Sequence, residues 1–174
     1  RGTVTPAGNK NAALPILAAT LLADGPVVLH NVPRIRDVET LVELLCSQGV
    51  RATWSAEHTL ELDARGARPA DPDPELCRSI RASILLAGPM LGRFGRINLP
   101  PPGGDVIGRR RVDTHLVALE RLGERIEVGD RFDFATKGLV GADIFLDEPS
   151  VTGTENALMA AVAARGATVL RNAA

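Results

Sequence analysis

Apolar residues recur along this chain in blocks of helical period. Each block is closed by a glycine and followed by a short run of strand character. "NAALPILAATLLADGPVVLHNVP" predicts an apolar helix, a stop at Gly25 and a strand over Val27–His30. "RASILLAGPMLGRFGRINLP" repeats the order, with its stop at Gly95 and a strand over Arg96–Leu99. "TENALMAAVAARGATVLRNA" repeats it again, stopping at Gly166 before a strand over Ala167–Leu170. The three stops lie 70 and 71 residues apart. A second, amphipathic helix follows the first two strands. One carries Val38, Leu41, Val42, Leu44 and Leu45 at helical spacing; the other carries Val112, Leu116, Leu119 and Leu122 and ends at Gly123. Both begin at an acid, Asp37 and Asp113, and Asp113 is expected to cap its helix. Short strands around turns, such as "HTLELDA" and "GADIFLD", close each unit, and "ARGARPADPDPELC" reads as loop.

A repeat of this length predicts one α/β domain of pseudo-threefold design over residues 1–174, with units near 9–65, 75–148 and 150–174. The third unit stops at Ala174, where its second helix would begin. The expectation is therefore a fragment, or one half of a split protein, with apolar surface left for a missing segment to cover.

Composition narrows the partners. The chain has 174 residues, 45% of them hydrophobic and 3% aromatic, so its core must be aliphatic. A formal net charge of −1 disfavours nucleic acid and a polybasic membrane surface. All but two of its 20 cationic residues are arginines, so the lysines Lys10 and Lys137 carry more information than any single arginine. Cys46 and Cys77 lack metal-ligand or disulfide spacing, and Cys46, inside an apolar helical pattern, is expected to be a buried thiol. No metal site is expected. The longest apolar run, Ala12–Ala23, is shorter than a membrane span, and with no leader pattern the expected location is the cytoplasm. His30, His58 and His115 show no ligand spacing and read as core or surface residues.

Candidate chemistry begins at "GNKNAALP". It sets Lys10 beside a helix N-terminus, a position suited to an anion. The other unusual stretch is "LPPPGGDVIGRRRVDTH", with an isolated acid behind two glycines and three arginines after it. Alone, Asp105 reads as a turn residue. These two segments, with "GPVVLHNVPRIRDVETLVELL", "RASILLAGPMLGRFG" and "DEPSVTGTENALMAAVAARGATVLRNAA", together resemble the UDP-N-acetylglucosamine 1-carboxyvinyltransferase family. These enolpyruvyl transferases perform the first committed step of peptidoglycan synthesis. The resemblance covers nearly the whole chain. The sister shikimate-pathway family has Lys-Ser where this chain has Lys10-Asn11.

The resemblance implies an inverted α/β barrel (EPSP synthase-like), helices inside and sheets outside, and a second domain absent here. It implies transfer of the enolpyruvyl group of phosphoenolpyruvate to the 3′-hydroxyl of UDP-N-acetylglucosamine, without a cofactor. By the same token Lys10 and Asn11 contact phosphoenolpyruvate, and Asp105 stands where most members have the cysteine that protonates C3 and is alkylated by fosfomycin. Arg110 is the motif arginine; Arg110, Arg111, Val112, Asp113 and Thr114 form the loop that holds the nucleotide. Arg81 lies near the nucleotide, and Ser150 and Val151 touch its diphosphate. Arg111 departs from the usual proline, Glu148 from a lysine found in some members, and Thr152 from a usual glycine. The base for the hydroxyl belongs to the missing half, so the chain alone is expected to be inactive. The alternatives are a non-catalytic nucleotide-sugar-binding module and a transferase for another acceptor.

Overall fold

A computed structural model describes residues 1–104 and 111–174. The first block forms helix α1 (Lys10–Ala19), a 3-10 turn (Thr20–Leu22) and strand β1 (Val27–Leu29). Helix α2 (Arg36–Ser47) and the hairpin β2 (Arg51–Ala56) and β3 (Thr59–Asp63) follow. Strand β3 inserts between β1 and β2, antiparallel to both. After a short helix, α3 (Pro74–Ser79), the pattern recurs. A 3-10 segment (Arg81–Leu86) runs into α4 (Ala87–Phe94), then β4 (Arg96–Leu99), α5 (Asp113–Arg121), β5 (Arg125–Val128) and β6 (Phe132–Ala135). Here β6 takes the central place between β4 and β5, again antiparallel to both. Strand β7 (Asp143–Phe145), helix α6 (Val151–Val162) and strand β8 (Val169–Arg171) complete the order. The "GADIFLD" strand does not close the second sheet as its position suggests. It pairs in parallel with β8 in a separate sheet.

The helical stripes explain the packing. Val38, Leu41, Val42, Leu44 and Leu45 of α2 are all buried, as their spacing predicts. In α4 every residue from Ala87 to Leu91 is buried, and this helix packs chiefly on α6. Helices therefore fill the interior and the sheets lie outside them, an α/β arrangement of the expected kind. Gly95 ends α4 in the left-handed region (φ 73°), where a Cβ is disfavoured, and its N–H closes on Leu91 O.

Several local expectations need correction. Cys46 is exposed, because the apolar stripe of α2 has turned inward by Leu45; the buried thiol is Cys77 in α3. Burial pushes the Cys77 thiol up to about 11, so it stays protonated. The supposed loop "ARGARPADPDPELC" contains α3, capped by the Asp73 side chain accepting from the Glu75 and Leu76 amides, with Pro74 at the first helical position. Asp113 is not the cap of α5. It is the first helical residue, behind Val112, and pairs with Arg111 instead. The first block's helix ends at Ala19, well before Gly25, as the Thr20 hydroxyl turns back to Leu17 O.

One buried acid has no sequence signal. Both carboxyl oxygens of Glu124, at the start of the second hairpin, are buried without a hydrogen-bond partner among the described residues. Desolvation, with Glu120 nearby, raises its pKa to about 9, so it is a neutral acid in the fold. The folded protein then binds a proton that the unfolded chain releases above about pH 4.5. Stability from this group is complete below that pH and is lost as pH rises toward 9. Glu124→Gln is therefore expected to stabilise at pH 8 by on the order of 2 kcal/mol, with the gain vanishing near pH 4.5. Urea unfolding at both pH values measures it.

Candidate functional site

The N-terminal ends of the three central helical segments meet at one cavity of about 420 Å³. From α1 come Lys10, Asn11, Leu14 and Pro15, and from the 3-10 segment before α4 come Arg81, Ala82 and Leu85. Helix α6 and its cap add Ser150, Val151, Thr152 and Glu155, and Asp37 of α2 and Gly104 also lie on the wall. Aligned backbone N–H groups at helix starts carry partial positive charge, and here they surround two cationic side chains.

Local sequence sets each helix start. Asn9 caps α1, its side chain accepting from the amides of Asn11 (2.7 Å) and Ala12 (3.1 Å). Ser150 caps α6, its Oγ accepting from Gly153 N–H at 3.1 Å. The amides of Val151 and Thr152 lie in the first turn, where no helix carbonyl reaches them. Gly103 holds the approach to the rim. A Cβ there would lie 1.5 Å from Arg78 O, so only glycine lets residues 103 and 104 lie against α3 and donate to Cys77 O and Arg78 O.

Charge on the cavity wall is mixed. Lys10 Nζ donates to Asp37 Oδ2 at 2.9 Å, with both side chains partly exposed. An arriving anion would share the ammonium with that carboxylate. Glu155 is one turn along α6 from Thr152, and burial raises its pKa. The sequence assigns neither acid a site role, and Asp37 reads there only as a helix-start residue. Asp37 is 27 residues from Lys10, and only folding shows that they face each other. Glu155 could have been found from helical spacing, as it follows the Ser150 cap on the same face as Thr152.

Of the residues singled out from sequence, Lys10, Asn11, Arg81, Ser150 and Val151 come together on the cavity wall. Arg111, Val112, Asp113 and Thr114 do not line it. They form an adjoining cluster joined to it through Arg81, whose Nη2 donates to Arg111 O at 2.6 Å. Arg111 pairs with Asp113 (2.5 Å) and Asp147 (3.2 Å), and the Thr114 hydroxyl donates to Asp147 Oδ1 at 2.7 Å. That hydroxyl, together with Arg111, holds the Asp147 carboxyl below its usual range. Asp147 thus ties the loop before α5 to the start of α6, a role with no motif to announce it. Asp105 and Arg110 lie outside the described residues. Among the described residues no cluster of three or more His, Cys, Asp or Glu could hold a metal ion, and no helix is long and apolar enough to cross a membrane.

Known proteins match both the sequence and the fold. The family model for EPSP synthase (3-phosphoshikimate 1-carboxyvinyltransferase) matches residues 1–174. The UDP-N-acetylglucosamine 1-carboxyvinyltransferase of Bradyrhizobium diazoefficiens is 65% identical over 173 residues, covering 99% of this chain and 40% of that protein. The protein of the same name from Treponema denticola is 48% identical over 173 residues, covering 99% of this chain and 41% of the relative. This chain thus spans about 40% of the length of these relatives. Among solved structures, the enolpyruvyl transferase NikO from Streptomyces tendae superposes with a TM-score of 0.82 at 23% identity, over 98% of this chain and 40% of that one. An EPSP synthase from Acinetobacter baumannii superposes with a TM-score of 0.75 at 18% identity, over 95% and 39%. These two likenesses establish the fold.

Proposed function

The chain belongs to the EPSP synthase family of carboxyvinyltransferases, and we propose that it supplies the N-terminal part of a UDP-N-acetylglucosamine 1-carboxyvinyltransferase. The observation that carries this reading is the 65% identity to a protein of that name over 99% of this chain. The cavity is consistent with it, since Lys10, Arg81 and the first turn of α6 favour anionic ligands on one wall. In the proposed reaction the 3′-oxygen of the sugar bonds to C2 of phosphoenolpyruvate while C3 takes a proton. The tetrahedral intermediate then loses phosphate from C2 and a proton from C3. Lys10 and Asn11 hold the phosphoenolpyruvate anion. Arg81, Ser150 and Val151 face the nucleotide sugar, and Arg110 to Thr114 grip its nucleotide. Asp105 is the proton donor to C3, and the base for the sugar hydroxyl comes from the part of the enzyme beyond this chain. Both substrates are cytoplasmic metabolites, so the proposed location is the cytoplasm.

The partial barrel of residues 1–174 is proposed as one of two domains that close on the substrates. The separated chain is therefore expected to release no phosphate from phosphoenolpyruvate. The complete enzyme should do so with UDP-N-acetylglucosamine and not with shikimate 3-phosphate; the reverse preference would sink this assignment.

Asp105 has a separate consequence. An epoxide is opened by a soft thiolate far more readily than by a carboxylate. The complete enzyme should gain no fosfomycin adduct by intact mass, whereas Asp105→Cys should gain one stoichiometrically. A stable adduct on the wild-type Asp105 would refute its role as a non-thiol donor.

A further inference from the structure

A chain of buried hydrogen bonds runs from the first turn of α4 to the cavity wall. Gly88 N–H donates to Asn156 Oδ1 at 2.7 Å. A backbone N–H can only donate, so this contact fixes which way the Asn156 amide points. Its Nδ2 then faces Ile84 O at 3.1 Å and His115 Nδ1 at 3.1 Å. An amide nitrogen carries only hydrogens to offer, so Nδ1 must accept and the imidazole proton must sit on Nε2. Nε2 lies 3.2 Å from Thr152 Oγ1, which therefore accepts. With its lone pair engaged by the imidazole, the Thr152 hydroxyl has its own hydrogen left to donate elsewhere, and Thr152 lines the cavity. Asn156 and His115 are essentially inaccessible, at 0% and 1% exposure, so solvent does not scramble the order. Burial, with Arg81 nearby, lowers the His115 pKa to about 4, which keeps the ring in this neutral form at physiological pH.

We infer that Thr152 is a ligand-binding residue that donates its hydroxyl hydrogen to a diphosphate oxygen of the nucleotide sugar, and that His115 and Asn156 are positioning residues that set the direction of that donation. The inference rests on the carboxyvinyltransferase reading for the identity of the ligand. Thr152 follows Ser150 and Val151 in the same first turn, so its hydroxyl extends the anion-facing wall already formed there. Glu155, one turn further, would repel an anion and so marks the far limit of that wall.

The test is calorimetric titration of the complete enzyme with UDP-N-acetylglucosamine and, separately, with phosphoenolpyruvate. Thr152→Val keeps the shape and removes the donor. It should weaken nucleotide-sugar binding about tenfold, as expected for one hydrogen bond to a charged group. Binding of phosphoenolpyruvate should change by less than about twofold, since no such bond is lost. Thr152→Ser should bind like the wild type. His115→Gln, whose amide N–H can occupy the place of Nε2–H, should do so as well, while His115→Leu should behave like Thr152→Val. Nitrogen-15 spectra of the imidazoles should show His115 protonated on Nε2 alone at neutral pH. Unchanged nucleotide-sugar binding by Thr152→Val, a loss of phosphoenolpyruvate binding instead, or a proton on Nδ1 would overturn the inference. A wild-type enzyme that binds the nucleotide sugar but releases no phosphate would overturn the proposed reaction and leave the Thr152 comparison readable.

Discussion

Lys10→Ala in the complete enzyme is expected to lower turnover by about 10²–10³-fold, the usual cost of removing one preorganised charge from a site where negative charge develops. Lys10 stands at the start of α1, on the cavity wall, held at 2.9 Å from Asp37. That ion pair is partly exposed and contributes little to folding. The substitution should therefore leave the melting temperature almost unchanged while turnover collapses. Lys10→Arg should recover only part of the activity, because a planar guanidinium cannot reproduce the compact ammonium on its flexible stem. Steady-state phosphate release with a thermal melt of the same samples measures both halves. Near-normal turnover in Lys10→Ala would remove Lys10 from the site.

Asn156→Leu is expected to have the largest effect on stability. Asn156 is wholly buried and satisfies three groups at once: Gly88 N–H, Ile84 O and His115 Nδ1. Leucine has a similar shape and none of the hydrogen bonds. It would leave Gly88 N–H and His115 Nδ1 buried without partners, at roughly 1–3 kcal/mol each, for a total on the order of 4 kcal/mol, while Ile84 O keeps the Ala87 N–H. Gly88 makes relief by movement difficult, since α4 and α6 approach so closely there that a Cβ would lie 2.5 Å from Asn156 O. Urea unfolding of Asn156→Leu beside Thr152→Val separates the fold from the ligand. The first should unfold at much lower urea, and the second should lose less, roughly 1–3 kcal/mol, because it leaves a single buried donor, His115 Nε2–H, without its acceptor.

Much of the fold was legible because its core helices carry regular stripes. The stripe of α2 runs from Val38 to Leu45 without a gap, and β4 falls on Arg96–Leu99 as read from the residues after Gly95. The misreadings have local causes. Helix α3 hid in a proline-rich stretch, although Asp73-Pro74-Glu75 is a complete start signal of cap, proline and first-turn acid. Cys46 lay four residues beyond Val42, which is itself at the edge of the buried stripe, and so turned outward. Strand β7 joined a different sheet because strand pairing depends on β8, which comes later in the chain and across α6.

The site divides in the same way. Lys10, Asn11, Arg81, Ser150 and Val151 each sit at or beside a helix start, where sequence motif and backbone geometry coincide, and folding brings them to one cavity. The Asp37 partner of Lys10, the Asp147 anchor and the order Asn156–His115–Thr152 span 27 to 41 residues of sequence and use ordinary residue types. Such contacts are tertiary: no local pattern specifies which buried asparagine meets which histidine.

We propose that this chain supplies the N-terminal part of a nucleotide-sugar carboxyvinyltransferase, with contacts to both substrates. The most direct test is mass spectrometry of the nucleotide pool after the complete enzyme is incubated with phosphoenolpyruvate and UDP-N-acetylglucosamine. The nucleotide sugar should be converted to its enolpyruvyl ether with an equal yield of inorganic phosphate, and both should be lost in Lys10→Ala. Unmodified UDP-N-acetylglucosamine beside fully active, folded controls would contradict it.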